Sequence, residues 1–167
     1  PCPIGQFQTL EGQTGCNNCT TGAYTGSQGS ANCSACALGY YIDTQGSGQC
    51  KQCPAGKYSD KYGASTCSDC PAGSYSSSPG TVTCTKCVPG TFAKDVGVLI
   101  CANCPLGTYT SDSGTVTCKD CPVGKYTNIV KTTSCTLCAP GTFTDKLKTI
   151  NCENCPAGSI SVYAGST

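Results

Sequence analysis

One constraint governs this chain: a cysteine opens a new unit every 17 residues, without insertion or deletion, at Cys2, Cys19, Cys36, Cys53, Cys70, Cys87, Cys104, Cys121, Cys138 and Cys155. Each unit has glycine three residues on, from Gly5 to Gly158. Five residues on, it has Phe or Tyr in all units but the last, where Ile160 stands. A second glycine follows at ten residues in eight units, replaced by Lys131 and Lys148 in the other two, and a closing cysteine comes at fourteen in nine units. A fixed period near 20 residues means stacked supersecondary units, none of which buries its apolar face alone.

Cysteine supplies what the apolar residues cannot. Nineteen cysteines in 167 residues is about 11%, above the roughly 8–10% that marks a disulfide scaffold. Without cysteine, apolar residues fall to about 26% of the chain, evenly spread, too few for one compact core. Disulfides persist in oxidising surroundings, which places the chain in the extracellular space or at a cell surface. Ten lysines, no arginine and nine acids give a net charge of +1, a balance that favours neither nucleic acid nor an anionic membrane surface. No apolar run reaches the roughly 18 residues of a membrane span, so no direct membrane insertion is expected. The array begins in register at Cys2 and lacks a closing cysteine for Cys155, as a segment of a longer secreted protein does.

Two disulfide frameworks fit the spacing. In one, opening and closing cysteines bond: Cys2–Cys16, Cys19–Cys33, Cys36–Cys50, Cys53–Cys67, Cys70–Cys84, Cys87–Cys101, Cys104–Cys118, Cys121–Cys135 and Cys138–Cys152. In the other, C-x2-C neighbours such as Cys16 and Cys19 bond and Cys2 is left alone. A C-x2-C bridge belongs to helix starts in redox proteins. These flanks are rich in Thr, Gly and Pro with no helical period, which favours the first framework, although spacing alone leaves both open. Cys155 then pairs with a residue outside the segment or remains a thiol.

The other repeated residues have local reasons. The first glycine suits a turn of positive φ, and proline after the opening cysteine in six units stiffens it. The aromatic lies between polar residues, as in Lys57-Tyr58-Ser59, the alternation of a half-buried strand. Its ring is expected to cover the disulfide and reach towards the next unit. The second glycine reverses the chain into a returning strand such as Thr115-Val116-Thr117. At Lys131 and Lys148 the turn must avoid positive φ or carry strain.

The unit C-P-x-G-x-Y-(x)8-C-x2-C resembles the ephrin-receptor-like cysteine-rich repeat. It is also similar to the first disulfide module of tumour-necrosis-factor-receptor domains. The resemblance covers essentially the whole chain and implies bonded opening and closing cysteines, such as Cys53–Cys67. It extends to receptor ectodomains, matrix-associated proteins and large surface proteins of protists. The chain departs from the receptor pattern in lacking the second, interlocked module, and its monotony favours a structural role.

Other chemistry finds little support. C-x2-C-x13-C-x2-C is similar to some four-cysteine zinc modules, but nine C-x2-C pairs at one unbroken period do not group into fours. No metal or cofactor is expected. Without histidine neither a Ser-His-Asp nor a Cys-His arrangement can be assembled, and the scattered acids read as solvated surface, so no enzyme is expected. Two sequons, Asn18-Cys19-Thr20 and Asn32-Cys33-Ser34, make Asn18 and Asn32 candidate N-glycosylation sites, against the alternative of plain polar turn residues. Each has cysteine in the middle, whose bridge hinders modification. The place of Asn18, held by Gln52, Asp69 or Lys86 elsewhere, is expected to be exposed.

The expected fold is a small disulfide-rich repeat protein, an elongated solenoid or rod of ten 17-residue β-hairpin units in one continuous array over residues 1–167. The expected function is structural: an extracellular rod, filament or appendage subunit that associates with itself or with other extracellular structural proteins. The alternative is a receptor or adhesion ectodomain that binds a protein or glycan, with Ala93 to Ile100 and the units of Lys131 and Lys148 as the irregular places to seek a site.

Overall fold

The computed structural model describes all 167 residues. It contains no helix. Two compact units divide the chain: unit 1 comprises 1–71 and 76–85, and unit 2 comprises 72–75 and 86–167. The 17-residue period runs through both.

Each repeat is a stapled hairpin. In unit 1, antiparallel ladders join Gln6–Phe7 to Asn17–Asn18, Ala23–Tyr24 to Ser34–Ala35, Tyr40–Tyr41 to Lys51–Gln52 and Lys57–Tyr58 to Ser68–Asp69. In unit 2, Thr91–Phe92 pairs with Ala102–Asn103, Thr108–Tyr109 with Lys119–Asp120, Lys125–Tyr126 with Thr136–Leu137, and Thr142–Phe143 with Glu153–Asn154. Two-residue ladders are too short to hold themselves together in water. A disulfide closes each of these, and one more closes the repeat that opens at Cys70: five lie in unit 1, from Cys2–Cys16 to Cys70–Cys84, and four in unit 2, from Cys87–Cys101 to Cys138–Cys152. Their Cα–Cα distances of 5.6 to 5.8 Å fit an ordinary bridge.

The buried apolar positions are nine opening cysteines, Ile42 and Ala93. The core is therefore mostly sulfur. The aromatic position is half-buried from Phe7 to Phe143. Burial falls instead on the next residue: Thr25, Ile42, Ser59, Ser76, Ala93, Thr110, Thr127 and Thr144. A buried hydroxyl is costly unless paired. Here the turn supplies the partner. Thr110 Oγ1 lies 2.8 Å from Thr115 Oγ1, whose hydroxyl also donates to the Asp112 carbonyl at 2.8 Å. Thr144 with Thr149, and Thr25 with Ser30, repeat the arrangement. No buried side-chain nitrogen or oxygen lacks a partner.

Backbone bonds then tie repeats in series. The N–H of Gly5 donates to the Thr25 carbonyl one repeat on, at 2.9 Å, and Gly22 donates to Ile42 at 3.0 Å. In return, Gly29 N–H donates to the Cys2 carbonyl and Gly46 N–H to that of Cys19, both at 2.8 Å. Unit 2 repeats the scheme with Gly90 to Thr110 and Gly114 to Cys87.

A further contact skips a repeat. A Cβ on Gly22 would stand 2.0 Å from the Gly63 carbonyl oxygen, and one on Gly107 would stand 2.2 Å from that of Lys148. The first glycine thus has two reasons to be glycine. It takes positive φ, and it admits the backbone of the repeat after next.

Candidate functional site

The irregular places fall in unit 2. Lys131 and Lys148 adopt φ of 62° and 61°, so these turns keep the glycine conformation and carry its strain. The cause is a bond. Lys131 N–H donates to the Cys104 carbonyl and Lys148 N–H to that of Cys121, both at 2.9 Å, as glycine does elsewhere. A turn that avoided positive φ would forfeit it. Each lysine stem also covers a glycine, with Cγ 3.2 Å from a Cβ position on Gly90 and 3.0 Å from one on Gly107.

In the stretch from Ala93 to Ile100, Ala93 is buried and Val98 half-buried, while Val96, Leu99 and Ile100 are exposed. Ala93 and Val98 hold the places that Thr110 and Thr115 hold in the next repeat, so an apolar pair replaces a hydroxyl pair there. Ile100 is 77% exposed. With Tyr75, Val88 and Thr91 it lines a shallow depression of about 200 Å³ that Lys131 borders. Large exposed apolar side chains are uneven along the chain: Ile4, Leu10 and Tyr62 in unit 1, against fifteen in unit 2 from Val88 to Tyr163.

Charge is thinly placed. Lys51 Nζ lies 2.9 Å from Asp43 Oδ1 and 5.9 Å from the centre of the Tyr41 ring. Their hydrogen bond lowers the Asp43 carboxyl and raises the Lys51 ammonium from their ordinary pKa values. Lys57 pairs with Asp69, whereas in unit 2 Lys119–Asp112 and Lys146–Glu153 are looser at 3.6 and 3.9 Å. No group of three acids or cysteines is disposed to hold a metal ion. None of these contacts joins a nucleophile to a base.

The two sequons meet at one bridge. Cys19 follows Asn18, Cys33 follows Asn32, and Cys19–Cys33 is a disulfide. Asn18 lies in a ladder strand and Asn32 in the turn before the closing cysteine. Cys155 is half-buried and has no partner cysteine among these residues.

Spacing missed two features that matter here. The buried hydroxyl column was signalled only by the small size of residues six beyond the opening cysteine, as at Thr25, Ser59 and Thr110. The contact that skips a repeat left no signal, since glycine at both places also reads as a turn.

The repeated geometry has a counterpart among known proteins. The family described as tyrosine-protein kinase ephrin type A/B receptor-like matches residues 1–32, 22–66, 56–99, 90–134 and 124–167. From residue 22 the matches begin two periods apart and overlap; those over 22–66 and 124–167 hold both glycines of a second-neighbour contact, Gly22 with Gly63 and Gly124 with Gly165. No curated protein matches the chain. Such repeats point to an extracellular or cell-surface module of receptor or structural type, a family not typically catalytic. With matches that tile residues 1–167, the chain belongs to the ephrin-receptor-like family of cysteine-rich repeats.

Proposed function

We propose that this array is a mechanical element outside the cell: a disulfide-stapled rod or spacer that serves as subunit of a filament, coat or appendage. One observation carries the reading. Within each compact unit the repeats that have neighbours on both sides spend the same groups on them: first-glycine N–H, opening-cysteine carbonyl and second-turn N–H. A recognition module keeps some such groups for its ligand, whereas a spacer has no such need. Stability accumulates through near-identical interfaces, and the exposed aliphatic residues of unit 2 supply lateral contacts between copies.

A second reading has its own support. The apolar residues concentrate in unit 2, and uneven exposure of this kind accompanies receptor and adhesion surfaces. Electron microscopy of native material in negative stain, with and without reductant, separates the two. Regular fibres that collapse on reduction support the mechanical role, whereas isolated short particles at every concentration overturn it. Serine substitutions at Val96, Leu99 and Ile100 sharpen the result. Graded loss of assembly belongs to a structural element, and abrupt loss of one partner belongs to a receptor.

A further inference from the structure

We propose that Asn32 carries an N-linked glycan and that Asn18, in the neighbouring sequon, does not. The inference rests on the oxidising, secretory origin that nine disulfides require, and it is independent of the mechanical reading.

The two sequons are equal as sequence and unequal as structure. Asn18 is engaged on both sides. Its backbone lies in the ladder opposite Gln6, and its Oδ1 accepts a hydrogen bond from Gln6 Nε2 at 2.9 Å. That oxygen also lies 3.1 Å from a Cβ position on Gly46, against the turn two repeats on. Asn18 is exposed, but these contacts on Oδ1 hold its amide against Gln6 and the Gly46 turn, where a transferase must reach Nδ2. Asn32 lies outside the ladders, in the exposed turn between Gly29 and Cys33. Its side chain makes no hydrogen bond within the chain, and Ser34 beyond the bridge is exposed. Both middle cysteines belong to the same disulfide. Closing Cys19–Cys33 therefore ties Asn18, though exposed, into a ladder and a side-chain bond, and leaves Asn32 exposed with neither.

The repeat supplies its own controls. Asn151 occupies the place of Asn32 seven repeats later, but Glu153 stands where the sequon needs a hydroxyl. Asn103 and Asn154 occupy the place of Asn18, each followed by Cys and Pro. Position outside the ladders alone thus offers two sites of the Asn32 kind, of which one has the required hydroxyl.

The chemistry is a glycosyl transfer. The co-reactant is an oligosaccharide joined through its anomeric carbon to a lipid pyrophosphate. Asn32 Nδ2 attacks that carbon, the bond from carbon to pyrophosphate oxygen breaks, and the lipid pyrophosphate leaves with the electron pair. A base of the transferase takes the amide proton, and no redox change occurs.

The test secretes the chain from a eukaryotic cell behind a signal peptide, with a tag that carries an unrelated sequon as internal control. Peptide N-glycosidase in heavy-oxygen water converts each glycosylated asparagine to labelled aspartate, which peptide mass spectrometry locates. The expected result is label at Asn32 and in the tag, with Asn18 unlabelled. Asn32→Gln and Ser34→Ala should each remove one glycan from the intact mass, and Glu153→Ser should add one at Asn151. A labelled tag with unlabelled Asn32 overturns the proposal, and so does equal label at Asn18 and Asn32. Neither outcome bears on fibre formation, so the mechanical reading stands or falls separately.

Discussion

Units 1 and 2 use one backbone and present two surfaces. In unit 1, Gly22 donates to Ile42 and faces the carbonyl of Gly63; in unit 2, Gly107 donates to Thr127 and faces that of Lys148. Only the accessory residues differ. Unit 1 exposes three large apolar side chains and contains both sequons, while unit 2 exposes fifteen and contains neither. Unit 2 also tolerates lysine where unit 1 has glycine throughout. Cysteine, glycine and one buried side chain after the aromatic thus specify the hairpin, and the remaining positions are free to set its company. Any difference of function between the units should therefore lie on the surface.

Reduction should produce the largest effect and treat both units alike. Each bridge spans 14 residues of sequence, a loop worth about 3 kcal/mol in the chain-entropy model. Two-residue ladders and a sulfur core leave little to replace that. Full reduction is expected to unfold units 1 and 2 together, with hydrogen exchange as the unit-resolved readout. Continued protection of either unit would show a second source of order and break the equivalence. Single paired removals, Cys53→Ser with Cys67→Ser and Cys121→Ser with Cys135→Ser, should each cost about 3 kcal/mol in denaturant melts.

Two glycines in one unit offer the sharper contrast. Gly107→Ala drives a Cβ to 2.2 Å from the Lys148 carbonyl oxygen at a residue whose φ is 75°. Backbone cannot step aside, so about 3 kcal/mol or more should be lost. Gly114→Ala meets the flexible Lys86 stem at 3.4 Å and the Gly73 carbonyl oxygen at an ordinary 3.8 Å, with φ of 73°. Conformational strain alone then applies, about 1 kcal/mol. Gly22→Ala should match Gly107→Ala, because Gly63 crowds it equally. Equal losses at Gly107 and Gly114 would mean that φ, not the skipping contact, makes the first glycine necessary.

That contrast also marks what the sequence discloses. The repeat, the hairpin and both turns are readable because each requires a residue with no good substitute: cysteine for a bridge, glycine for positive φ. The buried hydroxyls are not readable in that way. Thr110 is fully buried, although threonine ordinarily belongs outside. It is tolerated because Thr115 and Asp112, in the same turn, satisfy it. Ile42 fills the equivalent place with no hydroxyl at all, so the column has no fixed chemistry to search for. The skipping contact joins Gly5 to Gly46, residues that local turn rules already explain. Lys131 defies those rules, and only its bond to the Cys104 carbonyl accounts for it. Of the candidate site, both sequons were visible, but the ladder position and the Gln6 bond that set Asn18 apart from Asn32, both exposed, were not.

Surface exchange should change association and leave stability nearly untouched. Leu99→Ser with Ile100→Ser removes two exposed apolar side chains of unit 2. Melting should shift by no more than about 0.5 kcal/mol per substitution, as for surface changes in general. Self-association, followed by sedimentation velocity, should fall. The reciprocal change, Thr66→Ile with Ser65→Leu, puts the same residues at the equivalent exposed places of unit 1. If it restores association in the doubly substituted chain, apolar character alone suffices; if it does not, the position of the residues in unit 2 matters.

The smallest effect concerns charge and runs the opposite way, because unit 1 holds the tighter pairs. Asp43 and Lys51 meet at 2.9 Å, against 3.6 Å for Lys119–Asp112. The hydrogen bond from Lys51 depresses the Asp43 carboxyl below its ordinary value. Its contribution is therefore present above the unfolded carboxylate pKa and is lost as pH falls through the lower folded one. Lys51 is raised by the same bond, so its contribution is present below the unfolded lysine pKa and is lost as pH rises through the folded one. Between those limits the pair is intact. Both side chains are about half exposed, so water and salt screen them and little stability follows. Carbon-detected NMR titration should place the Asp43 midpoint below the ordinary carboxylate range, and high salt or Lys51→Gln should return it there. The melting midpoint of Asp43→Asn should scarcely move. A salt-independent midpoint would mean that something other than Lys51 holds the carboxylate, and the tighter pairing of unit 1 would lose its electrostatic meaning.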